Sequence, residues 1–345
     1  MLAKLRIKNT ALAAAVGIFA ILFIAGSVMY PNFLSLRVLL NLLINNAYMI
    51  VLAGGVCFTI LTGGIDLSIG AVVAMTSMIA ASLLRSGMNA YLVIAICLLT
   101  GVVFGTVQGL LIQYFGLHPW IVTLAGMFFA RGACYLISVE AIPIKNQAFY
   151  NISQFKLYLG PGRFISLNVI VALVFLALCL YLAKFTKFGR TTYALGGNRQ
   201  SALLMGLPVA RTKILVYTFS GFSATLSGLM FTLYTLSGYG LNANGAEMDA
   251  IAACVIGGVS LYGGIGSLFG PFIGVLVAGV IRTMVDFQGT LSSWWTKIFV
   301  GTLMLFCIVL QAVIVEREKA RKADAQQKKR KKKEPAPAEL AEAKS

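Results

Sequence analysis

Apolar residues in this chain gather in long runs instead of recurring every second or every third to fourth position. A helix advances 1.5 Å per residue, so about 20 apolar residues span the hydrocarbon core of a bilayer. Runs that approach this length fall at 11–30, 43–61, 67–84, 91–114, 120–137, 165–182, 214–236, 269–284 and 295–315, with a shorter one at 250–262. The pattern predicts an all-α membrane protein: a polytopic bundle of about ten transmembrane helices, some of them broken or rich in glycine. Residues 1–315 then form the transmembrane domain, and 316–345 a disordered, basic cytoplasmic tail.

The polar interruptions carry more information than the runs. From Val38 to Leu84 the chain is too long for one crossing, and Thr62–Gly63–Gly64–Ile65–Asp66–Leu67–Ser68 divides it. Paired glycines end a helix, and Asp66 or Ser68 restarts one as an N-cap whose carboxylate complements the helix dipole. One reading of Asp66 is therefore a cap at a membrane-boundary turn. The other is a broken helix beside a transport pathway, where intramembrane ionisable groups mark function. Asn45 and Asn46 want partners inside the second helix, and Arg131 needs a carbonyl or carboxylate within the fifth. Gly63, Gly64, Asp66, Ser68, Asn45 and Arg131 are thus the candidates for a pathway or helix break. Gly101, Gly105 and Gly109 make a smooth stripe against which another helix packs closely.

The longest polar interval between strongly apolar regions is Lys184–Lys213. It carries Lys184, Lys187, Arg190, Arg199, Arg211 and Lys213 and no acidic residue. Such a loop belongs on the cytoplasmic side. Gly196 and Gly197 permit a tight turn, Asn198 is an N-cap, and Arg199–Met205 reads as two turns of helix closed by Gly206. Two readings stand side by side: a handle by which a separate engine moves the membrane part, or a solvated linker. Further on, Glu247 and Asp249 open the eighth segment, as dipole-favoured residues or as an outward contact for another protein. The stretch GGVSLYGGIGSLFG that follows lacks the dinucleotide-binding spacing and predicts a broken helix or a close crossing.

Composition narrows the picture. Of 345 residues, 59% are hydrophobic and 11% charged, against roughly 25% charged in soluble domains. The formal charge of +17 does not indicate nucleic-acid binding, because 11 of the 28 Lys and Arg follow residue 315 and most others flank apolar runs. Basic residues in 1–9, 184–213 and the tail agree with an even number of crossings and both termini in the cytoplasm. Lys145, Lys156 and Arg163 in the outer loop weaken that rule without reversing it. A signal peptide competes for the first run, but the run is long and Gly26–Tyr30 is a poor cleavage site. The tail would meet anionic lipid headgroups. All six cysteines sit inside apolar runs without C-x-x-C spacing, His118 is the sole histidine, and no phosphate-binding G-x-x-x-x-G-K-[ST] occurs. Neither catalytic residues, nor a metal, nor a cofactor held by this chain is expected.

Three stretches together resemble the permease subunits of bacterial ATP-binding-cassette importers for monosaccharides, the ribose-type family: ILTGGIDLSIG, YALGGNRQSALLMGL and EMDAIAACVIGGVSLYGGIGSLFG. The resemblance covers roughly residues 10–315. LAGMFFARGACYLISVEAIPI and FQGTLSSWWTKI are similar to the galactofuranose-transporting branch, while the Lys-rich tail departs from it. The resemblance implies a second permease subunit, related or identical, with a heterodimer expected, a cytoplasmic ATPase that consumes ATP, and a periplasmic sugar-binding protein. It implies that Gly196, Gly197, Asn198, Ser201, Ala202, Leu203 and Gly206 carry the helix that couples to the ATPase, with Glu247 and Asp249 toward the binding protein. The chain would lie in a bacterial inner membrane and would not be an enzyme itself. An ion-coupled secondary transporter of a small polar solute is the alternative, and it lacks carboxylates: Asp66 is the single acidic residue before Glu140.

Overall fold

The computed structural model describes residues 2–160, 163–292, 294–310 and 313. The basic tail expected at 316–345 lies outside the described residues. The first half comprises α1 (Leu2–Met29), α2 (Leu36–Leu61), α3 (Ile69–Arg85), α4 (Ala90–Tyr114) and α5 (Pro119–Ile137). The loop after α5 holds β1 (Ile142–Pro143), α6 (Gln147–Ser153), β2 (Lys156–Gly160) and β3 (Arg163–Ser166). Then come α7 (Leu167–Phe185), α8 (Lys187–Gly197), α9 (Arg199–Leu204), α10 (Val209–Thr235), β4 (Ser237–Gly238), α11 (Ala246–Ile256), α12 (Gly270–Gln288) and α13 (Trp294–Leu310). Among the described residues, α1, α2, α4, α5, α7, α10 and α12 are long and apolar enough to cross a membrane, and α3 and α13 are shorter apolar helices.

The eighth segment needs correcting. Its helix, α11, has 11 residues, about 16 Å, roughly half a crossing. It stops at Ile256 because Gly258, Gly263, Gly264 and Gly266 take positive φ, which no helix continues. Residues 257–269 therefore run without helix before α12 begins. The second helix starts earlier than its apolar run: Ser35 Oγ accepts the Val38 N–H at 3.3 Å and fixes the start at Leu36.

α10 and α2 are the buried centre, with α3 packed between α10 and α5. Lipid does not drive helices together hydrophobically, so close van der Waals contact must do it. The glycine stripe of α4 supplies that contact. A Cβ at Gly101 or Gly105 would overlap α10 backbone carbonyls, and one at Gly109 would stand 2.9 Å from Ile214 Cα. α10 answers with its own small residues: Gly221 faces Gly101, and Ser223 lies directly over Gly55 of α2.

The bundle has two ends. At one, Ala11 lies against Gly258, and the Gly264 N–H donates to the Leu61 carbonyl at 2.9 Å, beside α8. At the other, Tyr30 donates to Gln288 Oε1 at 2.9 Å, and β1 pairs antiparallel with β4 through Ile142 and Gly238. The loop between α5 and α7 is ordered: Asn146 caps α6, and β2 and β3 form an antiparallel hairpin.

Candidate functional site

The break between α2 and α3 begins with Gly63 at φ +79°, where a side chain would be strained. Asp66 follows, and it is completely enclosed. Its Oδ1 accepts the Ser68 N–H at 3.0 Å and the Ser68 hydroxyl at 2.6 Å. Its Oδ2 accepts the Ser220 hydroxyl at 2.7 Å. Ser220 lies near the middle of the 27-residue α10, so this break sits deep in the bundle. That corrects the boundary-turn reading of Asp66. The capping expectation also changes: Ser68 occupies the N-cap position of α3 without a side-chain cap bond, and the Asp66 carboxylate takes the N–H instead.

The starts of α3 and α11 meet in the same region and point to opposite ends. A Cβ on Gly70 would overlap the Glu247 carboxylate and approach the Glu247 nitrogen to 3.1 Å. Each of these two helix starts therefore has a carboxylate beside it, which its positive end favours. Glu247 is 7% exposed, so it does not form an outward contact as expected from its position in the sequence. The reason is that residues 237–245 dip back along α3, with Asn242 Nδ2 donating to Ser77 Oγ at 3.2 Å. Asp249 is a quarter exposed and pairs with the half-exposed Lys297 of α13, Nζ to Oδ2 at 2.6 Å.

Arg131 bridges α5 to that dipping stretch. Its Nη1 donates to the carbonyls of Gly240 and Asn242 at 2.7 and 2.8 Å, a structural use of the charge. Asn45 faces outward from α2. Its neighbour Asn46 is the buried one, donating to the Leu42 carbonyl at 2.8 Å and abutting Gly279. Asn45 therefore does not join the site.

At the far end of the bundle from Arg131, α8 and α9 form a compact elbow. Asn198 Oδ1 accepts the Ser201 N–H at 2.9 Å, which caps α9, and Gly206 at φ +70° closes it. Ala202 is buried with Leu195 and Val209, while Leu203, Leu204 and Met205 project at 53%, 85% and 65% exposure. An exposed apolar triplet on one turn, flanked by Arg199 and Arg211, is a surface suited to a protein groove. Gly196 and Gly197 do not make the tight turn expected of them. They end α8 in helical backbone, and what Gly196 needs is space: a Cβ there would overlap the Leu61 carbonyl oxygen.

A family model described as the permease component of the branched-chain amino acid transport system matches residues 38–308. The chain belongs to that permease family. Among relatives, it is 41% identical over 305 residues to "Inner membrane ABC transporter permease protein YjfF" of Escherichia coli, covering 88% of this chain and 92% of that one. It is 38% identical over 308 residues to the fructose import permease protein FruG of Bifidobacterium longum, covering 88% and 90%. It is 37% identical over 308 residues to the ribose import permease protein RbsC of Bacillus subtilis, covering 88% and 92%. No solved structure matches the chain.

The permease also uses residues that the sequence reading passed over. Ser220 binds Asp66, Ser223 fits against Gly55, and Ser227 donates to the Tyr48 carbonyl at 2.8 Å. The signal was present: three serines at i, i+3 and i+7 put one polar stripe on α10, and all three are buried. Gln108 is buried between Ser68 and Gly126 and borders a cleft of about 910 Å³ walled by α4 and α5.

Proposed function

We propose that this chain is the membrane-spanning subunit of an ATP-driven monosaccharide importer in a bacterial inner membrane. The observation that carries this reading is the likeness to fructose and ribose import permeases over 88% of the chain. A separate cytoplasmic ABC ATPase docks on α9 and supplies the ATP-driven force. A periplasmic sugar-binding protein delivers substrate to the opposite end, and a second permease subunit completes the pathway as a heterodimer. Both termini and the 184–213 loop lie in the cytoplasm, which agrees with the concentration of Lys and Arg there. The substrate is galactofuranose or a close relative, by the likeness of Leu124–Ile144 and Phe287–Ile298 to that branch.

Transport proceeds by alternating access. ATP hydrolysis in another chain biases the bundle between inward- and outward-open states only through contacts whose energy differs between them. The buried α9 residue Ala202 and the exposed Leu203–Met205 give such a contact a rigid base and an apolar face.

The test is uptake of labelled galactofuranose by cells that express the whole system. Uptake should vanish without the ATPase and survive collapse of the ion gradients; the opposite result would mean ion-coupled transport. Ala202→Pro should abolish uptake while the binding protein still captures sugar. Labelling of Arg199 from the periplasm would overturn the orientation.

A further inference from the structure

Five glycines from three separate stretches meet beside α8: Gly63 after α2, Gly196 and Gly197 at the end of α8, and Gly263 and Gly264 between α11 and α12. Their contacts are backbone on backbone. The Gly264 N–H donates to the Leu61 carbonyl at 2.9 Å. A Cβ on Gly196 would overlap that carbonyl oxygen and lie 2.5 Å from the Gly264 nitrogen. One on Gly263 would lie 2.7 Å from the Gly63 nitrogen and 3.1 Å from Gly196 Cα, and one on Gly264 would lie 2.7 Å from the Gly197 nitrogen. Alongside, the Tyr193 hydroxyl of α8 donates to the Gly266 carbonyl at 3.0 Å.

We infer that this glycine junction is the joint through which movement of α8–α9 reaches the helix break at 62–68, with Gly196, Gly263 and Gly264 as positioning residues for transport. The inference rests on the reading of α9 as the ATPase-docking element. Besides the direct chain link from α8 to α7 and the Phe188–Phe58 ring contact, two routes lead from α9 into the membrane. One runs through the apolar side chains Leu195, Ala202 and Val209 to the start of α10. Side chains yield by changing rotamer, so that route is compliant. The other is the junction, where backbone meets backbone and nothing can rotate aside. Close-packed atoms repel steeply, so a small shift of the end of α8 must displace Leu61–Gly63 or the 257–269 segment. From Gly63 the way to Asp66 is short. Gly64 abuts the Tyr217 hydroxyl, and Asp66 is anchored on Ser220. Only Gly64 and Ile65 intervene, which leaves little slack.

The experiment uses the complete transporter in liposomes and reads sugar moved per ATP hydrolysed. Gly196→Ala and Gly264→Ala should retain the ATPase and hydrolyse ATP, while that ratio falls about tenfold because the added methyl forces the junction apart. Gly17→Ala in α1, where a Cβ meets nothing within 4 Å, should leave the ratio unchanged. A wild-type ratio in both junction variants overturns the inference. So does loss of the ATPase from them, since the glycines would then only shape its docking surface. Should the alanine variants fail to reach the membrane, Tyr193→Phe decides, because it removes one oxygen and adds no bulk. A ratio reduced about threefold supports the joint, and an unchanged one overturns it. Ala202→Pro that still binds the ATPase and transports normally would instead remove the docking role of α9, so the two failures are distinguishable.

Discussion

Between α2 and α3 the chain leaves helix for seven residues, 62–68, and between α11 and α12 for thirteen, 257–269. The first break is held by side-chain polarity. One carboxylate accepts a backbone N–H and two serine hydroxyls in the middle of the bundle. The second is held by missing side chains, with glycine backbone pressed on the ends of α2 and α8. The difference follows depth. In the centre no water reaches a free N–H, so a buried acceptor with several partners is needed. At the end of the bundle three segments cross, and room between them is the limiting quantity.

Substitutions at four positions sharpen or break this contrast, the positions taken in order of falling effect. Asp66→Ala should destabilise the permease by about 3 kcal/mol or more, because three donors lose their shared acceptor together. Asp66→Asn should recover more than half of that, since an amide oxygen still accepts. Thermal unfolding in detergent measures both, and an Asp66→Ala protein as stable as the parent would end the polar account of the first break. Gly264→Ala should cost about 2 kcal/mol from crowding and from φ +70°. Gly264→Ser should cost the same, and a markedly milder serine would show that the second break is polar too.

Ser220→Ala should cost about 1 kcal/mol in the same assay, one hydrogen bond of the three. A loss equal to that of Asp66→Ala would mean that α10, more than the Ser68 turn, holds the carboxylate. Lys297→Ala lies outside both breaks and removes a half-exposed ion pair with Asp249. It should change stability by about 0.5 kcal/mol, and less at high salt. A larger loss there would show that the breaks are not special in their cost.

Much of the candidate site could be read from local patterns. Asn198 followed three residues later by Ser201, then Gly206, spells a short capped helix, and α9 is that helix. The glycines at 101, 105 and 109 recur at four-residue spacing, and they do face one partner helix. Arg131 satisfies itself on carbonyls, as a charge inside a bilayer must. The errors share a cause. Asn45 and Asn46 are adjacent, about 100° apart on α2, and only the packing of α12 says which of them turns inward. Glu247 has the composition of an outer helix start, yet residues 237–245 carry it back into the bundle. The polar triplet of α10 was visible as a stripe, but no local signal connects Ser220 with Asp66, 154 residues away.

By itself, the sequence determined the solvent and the elements: long apolar runs must be helices in lipid, because backbone N–H and C=O groups have no water there. It also determined where α2 ends and where α9 starts and stops, since φ preference at glycine and capping by Asn198 are properties of a few neighbouring residues. Only the tertiary structure decided that α11 makes half a crossing, that Asp66 lies at depth on Ser220, and that five distant glycines share one contact. Those facts depend on which surfaces of separate segments meet, and steric exclusion between backbones has no trace in hydropathy or spacing along the chain.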